Sequence, residues 1–213
     1  MGRRALRRID PSLDLSQHLK TIEELPVPFD GAALFGHDAP LEIEVGSGKG
    51  LFLATASGEN PDGNYLGCEV SRQYARFAAA KLAREGRQNA VMVHGDGLKL
   101  FREILPDQCA ASVHVYFPDP WWKKRHKQRR VLNEPFLKDV ERVLESGGVF
   151  HFWSDVQEYF QSTLELIAET TNLNGPCPVS EHPAAHDMDY RTHFERRMRL
   201  HDVAVHRADF RRS

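Results

Sequence analysis

Short apolar runs alternate with helical patterns along the middle of this chain, and that alternation constrains the fold more than any other feature. Runs of strand type cover residues 41–45, 64–70, 90–95, 112–117 and 149–154, and a segment with helical spacing follows each of them. Five successive strand–helix units are typical of a parallel sheet with helices on both faces. Residues 202–210 alternate like a late antiparallel edge strand. We therefore predict an α/β fold with a doubly wound, mostly parallel sheet.

The glycine-rich turn "EVGSGKG", residues 44–50, ends the first of these strands and opens the first helix. A P-loop would need glycine where Ile43 stands and Ser or Thr where Gly50 stands. A dinucleotide turn, G-x-G-x-x-G, has Leu51 in its third glycine position. The pattern E-x-G-x-G-x-G, typical of S-adenosylmethionine (SAM) binding in doubly wound methyltransferases, fits at four positions: Glu44, Gly46, Gly48 and Gly50.

Carboxylates follow the first three predicted strands in turn. Glu44, just before the glycines, is placed to meet the ammonium of SAM. Glu69 ends the second strand, where an acidic residue about 20 positions on accepts from ribose hydroxyls in related folds. Asp96 follows the third strand and is placed to accept from the adenine amino group. Turn and acids together favour a SAM site over a plain turn with surface acids.

The stretch "FPDPWWKKRHKQRR", residues 117–130, follows the fourth strand. Ligands of open α/β sheets bind where the strand order reverses, here between the first and fourth strands, so we expect Asp119 beside the reactive methyl group. Six of the eight residues after the tryptophans are Lys or Arg. A carboxylate, planar rings and a basic rim indicate a nucleobase held at its edge with its phosphates nearby. A solvated basic loop, with tryptophans packed on the core, is the alternative.

This stretch resembles the signature of the bacterial tRNA (guanine-N7-)-methyltransferases, Phe-Pro-Asp-Pro-Trp followed by a basic run. "GCEVSRQ", "GGVFHFWSD" and "THFERR" are similar to other blocks of that family, in the same order. The likeness covers residues 40–170 and the patch around Thr192. It implies a seven-stranded sheet of the class I SAM-dependent methyltransferase type. It also implies methyl transfer from SAM to N7 of the variable-loop guanine of tRNA, conventionally position forty-six. It implies tRNA as the partner, with no obligate protein partner.

The resemblance also implies roles for individual residues. Glu44, Glu69, Asp96 and Asp119 would line the SAM site, with Asp119 catalytic. Contacts to the target nucleotide would come from Lys123, Asp155, Thr192, His193, Phe194 and Glu195. RNA contacts would come from Arg125, His126, Lys127, Gln128, Arg129 and Arg130. The chain departs from the family at Trp122, where His is common, and at His193, where Lys is common; the second change removes a fixed positive charge.

The whole chain, residues 1–213, is expected to form one domain. Residues 1–40 are predicted to be an irregular basic lead-in, 41–171 the SAM-binding core, and 172–213 a C-terminal segment on the substrate side. The apolar share of 41% and charged share of 27% are those of a soluble globular protein. We expect no membrane span, no secretory signal and, from three widely separated cysteines, a cytoplasmic location.

The formal net charge of −2 hides an uneven distribution of charge along the chain. Basic blocks lie at "RRALRR" (residues 3–8), in the middle and near the end of the chain. "HPAAH" (182–186) has the spacing of a zinc helix but contains a proline, so no metal is expected. A SAM enzyme acting on another RNA base, a non-enzymatic RNA-binding module on the same fold, and a nicotinamide oxidoreductase are the alternative functions.

Overall fold

The computed structural model describes residues 6–121, 130–179 and 190–213. The strands are Leu19–Thr21 (β1), Leu41–Val45 (β2), Asn64–Glu69 (β3), Ala90–His94 (β4), Ala110–Tyr116 (β5), Leu144–Ser154 (β6), Asn174–Cys177 (β7) and His206–Arg211 (β8). The α-helices are Gly31–Phe35 (α1), Leu51–Glu59 (α2), Arg72–Arg84 (α3), Gly97–Lys99 (α4), Glu134–Val143 (α5), Gln157–Thr170 (α6) and His193–Leu200 (α7). A 3-10 turn covers Ile22–Glu24 and a π-helical turn covers Leu100–Ile104.

One sheet joins these strands in the order β1-β4-β3-β2-β5-β6-β8-β7. The first six strands in that order run parallel, and β8 and β7 are antiparallel to their neighbours. The predicted fold class, a doubly wound and mostly parallel sheet with an antiparallel strand near the C-terminus, is confirmed.

The strand count differs from the prediction, because the described residues form eight strands where seven were expected. β1 lies in the lead-in predicted to be irregular, and β7 lies in a stretch that shows no strand pattern. Both strands are short, and β7 contains Gly175 and Pro176, two poor strand formers. β1 forms a strand because it pairs with β4, and β7 because it pairs with β8. Local sequence does not reveal such pairing.

Helices cover both faces of the sheet. On one face, Ile43 and Val45 of β2 belong to an apolar cluster with Phe136 of α5 and Ile167 of α6. On the other face, α2 and α3 pack over β3 and β4 through small and apolar residues. The alternating sequence of β2 therefore turns Glu42 and Glu44 away from the larger apolar cluster, toward the face that α2 covers.

Polar residues of four neighbouring strands share one row of the sheet. The register pairs Glu44 with His114, His114 with His151, and His151 with Asp209. The two imidazole rings stack with centroids 4.6 Å apart and an interplanar angle of 3°, and His151 Nδ1 lies 2.7 Å from Asp209 Oδ1. Each strand must therefore keep its register for these polar groups to meet partners.

His114 is the centre of this row and is buried. Its Nε2 lies 2.8 Å from Glu42 Oε2, and its Nδ1 lies 2.8 Å from the hydroxyl of Tyr116. Burial alone would raise the pKa of Glu42, but the hydrogen bonds from His114 and Tyr65 and the nearby imidazoles of His114 and His151 together lower it. An ionised carboxylate only accepts, so we assign Nε2–H as the donor to Glu42 and Nδ1 as the acceptor from Tyr116. The chain of bonds ties the end of β5 to β2.

Removing this imidazole should destabilise the protein. Burial lowers the pKa of His114 to about 4, from 6.5 for an ordinary imidazole. The neutral ring therefore contributes stability that is fully present above pH 6.5 and is lost as the pH falls toward 4. We expect His114→Gln to lower the free energy of unfolding by about 2–4 kcal/mol at pH 7.5, because Glu42 and Tyr116 lose their partner. Urea denaturation measures this.

The pH dependence of the free energy of unfolding distinguishes loss of the titrating imidazole from a general packing defect. Because glutamine does not titrate, the stability gap between wild type and His114→Gln should narrow by up to about 3 kcal/mol between pH 6.5 and 4. His201→Gln, at an exposed histidine, is the matched control and should stay within about 0.5 kcal/mol of wild type. A gap that does not change with pH contradicts the assignment of a neutral, buried ring.

Candidate active site

Four adjacent parallel strands end at one edge of the sheet, and the predicted acidic residues gather there. Across the sheet from β4 to β5, Asp96 follows β4, Glu69 ends β3, Glu44 lies near the end of β2, and Asp119 follows β5. The strand order reverses between β2 and β5, as predicted, so the crevice at this edge is where such folds bind ligands.

The glycine turn is fastened to the neighbouring strand and leaves open space above it. Gly46 and Ser47 donate their backbone N–H groups to the carbonyl of Cys68, at 2.8 and 3.2 Å. Gly46 and Gly48 have φ of 81° and 52°, and a Cβ on Gly46 would meet nothing within 4 Å. A ligand can therefore approach the backbone of this turn closely.

Gly50 serves packing rather than ligand access. Its φ is 68°, and a Cβ added there would lie 2.6 Å from Cβ of Ala78 in α3. The third glycine of the pattern thus allows α3 to pack directly against the start of α2.

Glu44 is buried, with 4% of its surface exposed, and its Oε2 makes no hydrogen bond in the described residues. Burial, reinforced by the nearby charge of Glu69, raises the pKa of Glu44 to about 8. A cation beside this carboxyl group would favour its ionised form and supply the missing hydrogen bond. This orphaned acid is the clearest sign of an absent cationic ligand group.

Glu69 is also buried and supports the glycine turn directly. Its Oε2 accepts from Gly48 N at 2.9 Å, and its Oε1 accepts from Ser71 N at 2.8 Å. A carboxylate has about four acceptor positions, so two remain for ligand hydroxyls. Asp96 is exposed, and its Oδ1 accepts from Leu98 N at 2.9 Å, which caps α4.

The loop that presents Asp119 is clamped on both sides. Phe117, with φ of 51°, donates its N–H to the carbonyl of Trp153 at 2.8 Å. Arg130 Nε donates to the carbonyl of Pro120 at 2.7 Å, and its guanidinium lies 4.7 Å from the ring centroid of Tyr159. Asp119 is exposed between these two fixed points.

Helix α7 begins beside this loop. The ring of Phe194 lies 4.9 Å from that of Phe117, centroid to centroid. Thr192 caps the helix, since its hydroxyl accepts from Glu195 N at 2.9 Å. Asp155 follows β6 at the same edge and is half-buried. The structure therefore brings Thr192, Phe194 and Asp155 to the edge that presents Asp119.

Glu195 is fully engaged within the protein. It is 3% exposed; its Oε2 accepts from Arg191 N at 2.7 Å, and its Oε1 lies 3.2 Å from Arg207 and 3.5 Å from Arg199. In the structure Glu195 anchors the base of α7. A contact between Glu195 and substrate stays a prediction.

His193 stands where the family commonly has lysine. Burial of the ring, together with the charges of Lys81, Lys49 and Arg196, lowers its pKa. Lysines from α3 and from the glycine turn therefore bring positive charge near this position. The charge missing at this one position is thus present on neighbouring elements.

Six predicted contacts, Lys123, Arg125, His126, Lys127, Gln128 and Arg129, lie outside the described residues, as does the histidine pair of "HPAAH". Arg130 is described, and it holds the Asp119 loop; its RNA contact stays a prediction. Trp121 is half-buried with φ of 40°. No helix in the described part is long and apolar enough to cross a membrane. No group of three or more potential metal ligands occurs among the same residues.

Several residues that shape the site were missed from sequence. Trp153 receives the Phe117 N–H and lies 4.8 Å from Tyr116, and Phe52 of α2 lies 5.4 Å from Tyr116, measured between ring centroids. The available signal was proximity in sequence, since Phe117 stands two residues before Asp119 and Trp153 two residues before Asp155. Sequence does not show that their rings meet.

Comparison with known proteins places this architecture in a family. A family model described as "Putative methyltransferase" matches residues 38–208. The crystal structure of the antibiotic-resistance methyltransferase Kmr superposes with a TM-score of 0.54 at 19% identity, covering 90% of this chain and 97% of that one. The 30S ribosomal A1408 methyltransferase from an uncultured bacterium gives a TM-score of 0.56 at 16% identity, with 86% and 94% covered. These two likenesses show the fold.

Sequence relatives are more specific. A tRNA (guanine-N(7)-)-methyltransferase of Rhodopirellula baltica is 49% identical over 218 residues, which cover 100% of this chain and 80% of that protein. The protein of the same name from Yersinia enterocolitica is 34% identical, covering 83% of this chain and 74% of that one. The resemblance noted in the sequence is thereby confirmed, and this chain belongs to the tRNA (guanine-N(7)-)-methyltransferase family.

Proposed function

We propose that this protein transfers a methyl group from SAM to N7 of a guanine in tRNA, and that the target is the variable-loop guanine conventionally numbered forty-six. The observation that carries the proposal is the likeness, along the whole chain, to a tRNA (guanine-N(7)-)-methyltransferase at 49% identity. We further infer a single domain without an obligate protein partner. A cytoplasmic location follows from the tRNA substrate and the separated cysteines.

The residues at the sheet edge fit SAM. The orphaned, buried oxygen of Glu44 suits the ammonium group, and the two free acceptor positions of Glu69 suit the ribose hydroxyls. Gly46 and Gly48 leave the backbone accessible, and Asp96 retains an acceptor oxygen for an amino group. SAM, when bound, supplies an electrophilic methyl group on a sulfonium centre.

Guanine N7 carries a free lone pair and no proton, so the reaction needs no general base. The protein must hold that nitrogen in line with the methyl group, and it must offset the positive charge that grows on the purine. Asp119 suits both tasks, because its carboxylate can accept from the guanine edge and lies on a loop clamped at Phe117 and Pro120. The basic run after Trp122 would then hold the tRNA backbone.

Asp119→Ala should mainly affect the chemical step. We expect single-turnover methylation, at saturating SAM and tRNA, to fall by about 10²-fold or more, as when one preorganised electrostatic interaction is removed. Binding of tRNA should change far less, because the interactions with phosphates remain. Rapid-mix methyl transfer from labelled SAM to unmodified tRNA, followed by nucleoside analysis, measures rate and product together.

Asp62→Ala is the matched control, because Asp62 is exposed just before β3, at the opposite edge of the sheet. It should methylate at the wild-type rate. Near wild-type turnover by Asp119→Ala refutes the catalytic role of Asp119. A wild-type product methylated away from N7 refutes the proposed reaction.

Glu44→Gln should become more stable relative to wild type as the pH rises. Because the folded-state pKa of about 8 exceeds the ordinary 4.5, the contribution of Glu44 to stability is fully present below pH 4.5 and is lost as the pH rises through 8. Glutamine does not titrate, so Glu44→Gln should gain about 2 kcal/mol or more relative to wild type between pH 5 and 8. Urea titrations with Glu59→Gln as an exposed control test this, and equal pH profiles for all three proteins contradict the raised pKa.

SAM binding should release a proton from Glu44. At pH 6.5 the free protein holds this carboxyl protonated, and the ligand ammonium favours the ionised form. Calorimetric titration in two buffers of different ionisation enthalpy should show release of up to about one proton per SAM. Glu44→Gln should bind SAM more weakly and release none through this position. Buffer-independent heats with wild type would place the ammonium elsewhere.

A further inference from the structure

The basic block at the start of the chain has no role in the site described so far. The structure places its described residues beside α3, where they line an open surface cavity of about 750 Å³. The cavity is lined by Leu6, Arg7, Arg8 and Ile9 of the N-terminal segment and by Arg72, Gln73, Arg76 and Phe77 of α3.

Four arginines line this cavity, and no Asp or Glu among the described residues does. Arg72 and Arg76 are one helical turn apart and share a face of α3. Arg7, Arg8, Arg72 and Arg76 are all exposed, and in residues 6–121, 130–179 and 190–213 none of them forms an ion pair. Like charges gathered without counter-charges repel one another and attract an anion with several negative groups.

The cavity is close to the candidate active site. Helix α3 begins at Arg72, directly after Ser71, whose N–H donates to Glu69. In the sheet, β3 is separated from β5 by β2, so the ends of β3 and β5 are roughly 10 Å apart at ordinary strand spacing. A polyanion whose base reaches Asp119 can therefore extend to Arg72 without leaving the surface.

We propose that Arg7, Arg8, Arg72 and Arg76 form a second binding surface for the phosphodiester backbone of the substrate tRNA. The partner named here rests on the proposed function. Arginine is suited to this role, since its planar fork binds phosphate oxygens with two hydrogen bonds and keeps its charge at all physiological pH values. Leu6, Ile9 and Phe77, which also line the cavity, are half-buried, whereas the four arginines are exposed.

The test compares two double variants, Arg7→Gln with Arg8→Gln, and Arg72→Gln with Arg76→Gln. The probe is an in vitro transcribed tRNA with a variable-loop guanine. For each pair we expect the dissociation constant at 0.1 M salt to rise on the order of tenfold. The slope of log affinity against log salt should become shallower by up to roughly 1.4–1.8, or about 0.7–0.9 for each phosphate that is no longer neutralised. SAM affinity should equal that of wild type.

Arg84→Gln with Arg211→Gln is the control of equal charge. Arg84 ends α3 and Arg211 ends β8, both exposed at the opposite edge of the sheet, so this pair should keep the wild-type salt slope. If both test pairs bind tRNA as the control does while wild type still forms N7-methylguanosine, this surface is refuted and the proposed function stands. If wild type methylates no tRNA, the proposed function fails, whereas the surface is still judged by the binding data alone. If only one of the two double variants weakens tRNA binding, the proposal that the four arginines form one binding surface is wrong.

Discussion

A row of ionisable side chains crosses the buried middle of the sheet, and the geometry of the candidate active site depends on how its members are satisfied. Buried polar groups are costly unless they are hydrogen-bonded, so the pairs His114–Glu42, His114–Tyr116 and His151–Asp209 require β2, β5, β6 and β8 to keep one register. Fixing β5 and β6 also fixes Phe117 against Trp153, from which the Asp119 loop departs. The network thus stabilises the register and positions the loop at the same time.

Glu44 belongs to the same row, but its buried Oε2 has no hydrogen-bond partner among the described residues. Its neighbours across the strands are Gly67 and His114, and His114 directs both of its nitrogens to Glu42 and Tyr116. A fold optimised for stability alone would pair this carboxyl group or replace it. The orphaned oxygen is instead consistent with a binding site whose missing partner is a ligand cation, since strain and unsatisfied groups persist where function requires them.

Sequence predicted the parts of this structure that depend on local pattern. Strand–helix alternation predicted the class of fold, and the glycine turn with Glu69 and Asp96 predicted the edge at which the acidic residues gather, because the carboxyl ends of parallel strands meet. The parts that depend on tertiary contact were not predictable. Arg130 reads as one more residue of a basic run, yet it binds the carbonyl of Pro120 and lies over Tyr159. Glu195 reads as an exposed acid in "THFERR", yet it is buried between Arg207 and Arg199.

Arg130, and Arg207 beside Glu195, show why a basic block in sequence does not equal a basic surface in space. Arg130 and Arg207 engage carbonyl, carboxylate and ring groups inside the protein, so their charges hold elements together. Arg7, Arg8, Arg72 and Arg76 lie far apart in the chain, yet they converge on one cavity without carboxylate partners. A polyanion responds to the convergent, unneutralised charges, because Coulomb attraction depends on position and screening. A chain with a net charge of −2 can thus present strongly positive surfaces beside its candidate active site.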